Sequence, residues 1–217
     1  LYKLRVVYTI VDKTNAGNPI KVSFNGELRF DQQMAVVALI KNRIGTLSAA
    51  TAFGKSVVAA NIIAERKTNT LILVHTKALM EQWQSVLNKF LTIECDAPIE
   101  KPRRGRKRIW SPIGCVGSGK DRRSGLIDIA IMQSLMDGDS VKEWVRDYGM
   151  VIVDECHHLS AFSFERIMRF ANARYVYGLT ATPIRKDGHQ PIIFMQSGAI
   201  RHSVIANRST AYERILT

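Results

Sequence analysis

"GTLSAATAFGKSVVAANIIAER", Gly45 to Arg66, decides how the rest of the chain is read. Residues 45–50 are apolar or small on both faces, as a strand buried between two layers must be. Residues 55–66 carry a helical pattern instead. The join between them, "ATAFGKS", runs Ala49, four residues, then Gly54, Lys55 and Ser56. This is the spacing of a phosphate-binding loop with Ala in its first position. In such a loop the backbone of Ala49, Ala50, Thr51, Ala52, Phe53 and Gly54 wraps N–H groups around a β-phosphate. The Lys55 ammonium reaches the β- and γ-phosphates, and the Ser56 hydroxyl binds Mg²⁺. The helix behind the loop turns its positive end toward the same anion. ATP and Mg²⁺ are the ligands this stretch predicts.

The alternation continues outward. "TLILVH" (70–75), "IDIAIM" (127–132), "MVIVDE" (150–155) and "RYVYGLTAT" (174–182) read as buried strands. "KALMEQWQSVLNKF" puts Leu79, Trp83, Val86, Leu87 and Phe90 on one helical face, and 138–147 and 163–172 also read as helices. Strands alternating with helices predict an α/β domain whose parallel sheet is covered by helices on both faces, with ligands at the C-terminal strand ends. "LYKLRVVYTIVDK" alternates like a strand, so residues 1–25 are expected to be lead-in strands. A second glycine-rich match, "GCVGSGKD" from Gly114, is rejected as a phosphate loop. Asp121 stands where the Mg²⁺-binding hydroxyl belongs, and "RRSG" follows where a helix should start. A flexible basic loop is expected there.

A phosphate loop needs a distant acid pair, and "VIVDECHHLS" (151–160) supplies one. Asp154, at the end of an apolar strand, can hold Mg²⁺, and Glu155 can polarise the attacking water. The neighbouring Cys156, His157 and His158 lack the spacing of zinc ligands, and Cys95 and Cys115 offer no CxxC partner, so no zinc is expected. Three scattered cysteines and the absence of a signal-peptide pattern suit a reducing cytoplasm. No apolar run reaches the roughly 18 residues that would call for a membrane. The net charge of +12 predicts a polyanionic partner, and much of it is local. "EKPRRGRKRIW" carries Lys101, Arg103, Arg104, Arg106, Lys107 and Arg108, and "GKDRR" follows at 119–123. A solvated loop is the plainer alternative for that run.

With Asp-Glu-Cys-His in place, the chain resembles the first RecA-like domain of superfamily-two DExH-box helicases and translocases. The resemblance runs from about Gly26 to about Arg185. "LRFDQQMAV" resembles the adenine-reading segment, with Gln32 in its glutamine position. "SAATAFGKS" resembles motif I, with Ala52 where many members have Gly. "LVHTKALMEQW" resembles motif Ia, "DECH" motif II and "GLTATP" motif III. The wording of these motifs is closer to restriction- and repair-type double-strand translocases than to DEAD-box RNA helicases.

The resemblance implies roles. His157 couples the γ-phosphate site to motif III, whose hydroxyls are Thr180 and Thr182. Thr76, Lys77, Gln133 and Ser134 contact nucleic acid, with DNA favoured over RNA. The charge of Arg103, Arg104, Arg106, Lys107 and Arg108, apart from the resemblance, gives that run a use beside them. A second RecA-like domain of about 150 residues is the expected partner. Pro183 leaves 34 residues to Thr217, so 26–185 is expected to be the motor domain and 186–217 the start of the crossing. A chain beginning with Leu rather than Met fits a piece of a longer protein. Two other classes stay open: a P-loop phosphotransferase, and a nucleic-acid-binding module that holds ATP without turnover.

Overall fold

The computed structural model describes residues 9, 11–95, 110–154, 161–181 and 197–204. In chain order these form β1 (Lys21–Phe24), α1 (Phe30–Ile40), β2 (Ile44–Ala49), α2 (Lys55–Arg66), β3 (Thr70–Val74), α3 (Lys77–Phe90) and β4 (Leu91–Glu94). Then come β5 (Ile113–Gly117), β6 (Lys120–Arg122), β7 (Ile127–Ile131), β8 (Met136–Asp137), β9 (Ser140–Val141), β10 (Met150–Asp154), α4 (Ala161–Ala171), β11 (Tyr175–Thr180) and β12 (Ile200–Val204).

An eight-stranded sheet in the order β12-β2-β11-β10-β3-β7-β5-β6 organises the chain, and within it only β6 runs antiparallel to its neighbour. The central strands β3 and β10 alternate their apolar side chains between two cores, which is why they read as largely apolar. Ile72, Val74, Met150 and Ile152 face the core shared with α1, α2 and α3, where Leu39, Val58, Ile62, Trp83 and Leu87 pack. Leu71, Leu73, Val151 and Val153 face the opposite core, closed by Phe164, Ile167 and Met168 of α4 and by Val145. The expected two-sided α/β sheet is present.

Three local expectations are corrected. The segment expected to be a flexible loop after Gly114 is a hairpin: β5 turns into β6 through Ser118 and Gly119. Both turn residues have positive φ (52° and 75°), as a two-residue hairpin matching strand twist requires. The glycine at 114 has a different reason from phosphate binding, because any side chain there would collide with Asp128 Oδ1. Residues 138–147 form no α-helix. Gly138 (φ 57°) turns the short β8–β9 hairpin, and Glu143–Asp147 is a 3₁₀ turn that seats Val145 under α4. Finally, the sheet extends past residue 185, since β12 pairs in parallel with β2.

The lead-in segment is strand only at β1, among the described residues, where it pairs antiparallel with β4. At its base, β7 is anchored by a buried carboxylate. Asp128 Oδ1 accepts from Ser124 N (2.7 Å) and Ser124 Oγ (3.2 Å), and Oδ2 from Gly125 N (2.8 Å) and Tyr148 Oη (2.5 Å). This ties the Ser124–Gly125 turn and the approach to β10 to one fully buried group. Burial beside that carboxylate pushes the Tyr148 phenol far above its ordinary pKa.

Candidate nucleotide site and the rim beside it

The stretch expected to be a phosphate loop joins a buried strand to a helix. β2 delivers Ala49, Thr51–Phe53 make one 3₁₀ turn, and Gly54 adopts φ 85° and ψ 42° before α2 starts at Lys55. A side chain at Gly54 would be strained at that φ and would put its Cβ 2.7 Å from Gln32 Nε2. Lys55 is 6% exposed, and its Nζ donates to the Ala49 carbonyl at 3.0 Å. The ammonium is thus held over the mouth of the loop. Ser56 is half-buried at the first turn of α2.

Gln32, expected from the resemblance to read adenine, packs against the loop before α2. Its side chain is buried, with Nε2 donating to the Phe53 carbonyl (2.9 Å) and Oε1 accepting from Arg29 N–H (3.0 Å). The Arg29 guanidinium donates to the same Phe53 carbonyl (2.7 Å) and lies over the Phe53 ring. α1 therefore braces the back of the phosphate loop.

Sheet order assembles the rest. β11 lies between β2 and β10, so Thr180 is level with Ser48, and Asp154 with Leu179. Thr180 and Asp154 are both buried, Thr180 at the C-terminal end of β11 beside the loop strand β2, and Asp154 at that of β10, one strand further on. Asp154 Oδ2 accepts from the indole Nε1–H of Trp83 at 2.7 Å. That contact has no local sequence signal, because Trp83 comes from α3. Glu155, His157 and Thr182 lie outside the described residues, as do Arg103, Arg104, Arg106, Lys107 and Arg108.

On the other side of β10 come β3 and β7. Thr76 and Lys77 follow β3, exposed at the rim. Thr76 Oγ1 accepts from Leu79 N–H (3.2 Å) and so caps α3, while Lys77 pairs with Glu81 (3.4 Å). Gln133 and Ser134 follow β7 in the 3₁₀ turn Met132–Leu135, Gln133 exposed and Ser134 half-buried. The loop, Thr180 and Asp154 thus occupy one half of the rim, and the polar ends of β3 and β7 the adjoining half.

The described oxygens suit Mg²⁺, which prefers hard oxygen ligands: the Ser56 hydroxyl and the Asp154 carboxylate. The cradle suits phosphate, because Gly54 keeps its left-handed backbone free of any Cβ. Among the described residues no helix is long and apolar enough to cross a membrane.

Comparison with known proteins agrees with this geometry. The family described as "Type III restriction enzyme, res subunit" matches residues 25–185. The chain is 30% identical over 174 residues to the "DNA 3'-5' translocase XPB2" of Sulfurisphaera tokodaii, covering 80% of this chain and 35% of that protein. A relative from Invertebrate iridescent virus 6 is 30% identical over 189 residues, covering 84% of this chain and 40% of that protein. The chain therefore spans less than half the length of either. Among solved structures, the UvsW helicase from bacteriophage T4 superposes with a TM-score of 0.61 at 23% identity, covering 85% of this chain and 64% of that one. The Sulfolobus solfataricus SWI2/SNF2 ATPase core in complex with dsDNA gives 0.57 at 14% identity, covering 85% and 38%.

Proposed function

The chain belongs to the type III restriction enzyme res-subunit family as the first RecA-like domain of a superfamily-two helicase, and from that premise we propose that it is the ATP-binding motor half of a nucleic-acid translocase. Hydrolysis would need a second RecA-like domain packed against the rim. The observation that carries the reading is the sheet order, which sets the phosphate loop, Thr180 and Asp154 on three adjacent strands at one edge.

Each residue then has a task. Lys55 leaves the Ala49 carbonyl for the β- and γ-phosphoryl oxygens, exchanging a neutral acceptor for a charged one. Ser56 and Asp154 would hold Mg²⁺, whose chemistry there would be to neutralise negative charge on the phosphoryl group. Glu155 polarises the attacking water. His157, Thr180 and Thr182 relay the state of the γ-phosphate to the rest of the domain. Gln32 positions the loop through Phe53 and can present what remains of its amide to adenine. Nucleic acid crosses the adjoining half-rim, at Thr76, Lys77, Gln133 and Ser134. The relative described as a DNA translocase and the structural neighbour bound to dsDNA support a nucleic-acid partner.

The test compares two variants. Lys55→Ala should abolish ATP binding, measured by calorimetry on this chain. Glu155→Gln should bind ATP normally but stop DNA-stimulated hydrolysis in the longer protein. A Lys55→Ala chain that binds ATP at parental affinity would sink the assignment of the loop, and parental turnover by Glu155→Gln would remove Glu155 from its role.

A further inference from the structure

Trp83 is 1% exposed, on the inner face of α3, and its indole N–H donates at 2.7 Å to a carboxylate that is itself 9% exposed. A buried indole needs some acceptor, and a backbone carbonyl would satisfy it without a charge. Here the acceptor is Oδ2 of Asp154, one of the two groups assigned to Mg²⁺ above. The bond spans 71 residues of sequence. It commits one of the carboxylate's roughly four lone-pair sites and so fixes how the carboxylate plane is turned. The helix that carries Trp83 is also the one capped by Thr76 and begun by Lys77, at the half-rim assigned to nucleic acid. Thr76 and Trp83 stand two turns apart, about 10 Å along one helix axis. In the sheet, β3, which leads into α3, adjoins β10, which ends in Asp154. α3 therefore joins the two halves of the rim.

We propose that Trp83 is a positioning residue that orients the Asp154 carboxylate for Mg²⁺ and transmits displacements of the α3 N-terminus to it. The first half concerns this chain's nucleotide site. The second half rests on the nucleic-acid reading of the rim. A shift of α3 when Thr76 and Lys77 engage a phosphate backbone would move the indole N–H relative to Asp154. Nucleic-acid binding would thereby retune metal affinity without any contact between the two ligands.

The test uses this chain with Mg²⁺, a fluorescent ATP analogue and short duplex DNA. Trp83→Phe keeps an aromatic ring and loses the N–H. The Mg²⁺ concentration that half-saturates nucleotide binding should rise about 10–100-fold, the usual loss when a ligand's orienting hydrogen bond is removed. Affinity for the metal-free nucleotide should stay within about twofold, which a merely structural disturbance would not spare. In the wild-type chain the three tryptophans give three indole N–H resonances, and Trp110→Phe and Trp144→Phe identify that of Trp83 by elimination. It should move on Mg²⁺ addition with nucleotide present, and again on DNA addition. Unchanged Mg²⁺ dependence in Trp83→Phe overturns the positioning role. Should that variant not fold, a Trp83 resonance indifferent to Mg²⁺ overturns it instead. DNA that binds, by anisotropy, yet leaves the resonance still refutes the transmission. DNA that fails to bind at all refutes the proposed function of the rim, leaving the Mg²⁺ result to stand by itself.

Discussion

Replacing Asp128 probes what holds β7, and with it the Gln133–Ser134 corner, in place. Each carboxylate oxygen takes two donors: Ser124 N and Oγ on Oδ1, Gly125 N and Tyr148 Oη on Oδ2. In Asp128→Asn one of those positions becomes an NH₂. The Ser124 and Tyr148 hydroxyls can rotate to accept from it, but a backbone N–H cannot. Whichever way the amide flips, one backbone N–H loses its acceptor, a cost of about 1–3 kcal/mol. Asp128→Ala strands both backbone N–H groups and the phenol, and should cost about 3–5 kcal/mol, within the range for breaking a buried network. Urea unfolding read by far-UV circular dichroism measures both, with an unchanged m-value showing that the folded state is otherwise intact. An Asn variant within about 0.5 kcal/mol of the parent would refute the reasoning, because that is the scatter expected of surface substitutions.

Tyr148 gives a pH signature of the same cluster. Its folded pKa is raised, so its contribution is fully present below the unfolded value near 10 and is lost as pH climbs above it. Stability should therefore fall above about pH 10 in the parent, and Tyr148→Phe should flatten that fall; an unchanged alkaline slope would count against the assignment. Replacing Arg103, Arg104, Arg106, Lys107 and Arg108 by Gln should weaken DNA binding about equally across sequences. It should also flatten the slope of log K against log salt by about 0.7–0.9 per lost phosphate contact, and an unaltered slope would return that run to solvated loop. This chain by itself should hydrolyse ATP slowly even with DNA present, since in related P-loop enzymes an arginine finger contributes roughly 10³–10⁵ in rate. Brisk turnover of the isolated 217-residue chain, in a phosphate-release assay, would contradict the need for a second domain.

The parts of this molecule legible in its sequence are those whose residues answer to one neighbour layer on each side. β3 and β10 are buried at every position, and apolar except at Thr70 and Asp154, because both faces are covered, and the loop before α2 carries its own spacing. What stayed hidden depends on partners far along the chain. "GCVGSGKD" looks like a loop by composition, yet Gly114 makes room for Asp128 and a side chain at Gly117 would crowd Ile131. Ser-Gly between β-branched or basic residues was the available hairpin signal, and the glycine count masked it. "DSVKEWVRD" reads as helix by periodicity, but the demand to seat Val145 beneath α4 reduces it to a 3₁₀ turn. Trp83 reads correctly as a core-facing residue of α3, and nothing near it announces that its N–H reaches Asp154. Gln32 was read from the sequence as an adenine-reading residue, and its grip on the Phe53 carbonyl had no signal there.

β12 has a mechanical consequence. It lies parallel to β2 and ends with Val204 level with Ala49, the residue from which the phosphate loop springs. Tension applied to the chain beyond 204 along the strand direction would load the β12–β2 hydrogen bonds together, in shear, rather than one at a time as in peeling. Shear divides the force over the whole pairing, so the edge strand resists a pull in the direction in which it leaves the sheet. The same pull would reach β2 first and the phosphate loop next. In a motor whose halves are joined beyond this strand, the edge of the sheet would thus serve as a tendon, delivering strain between the halves to the nucleotide.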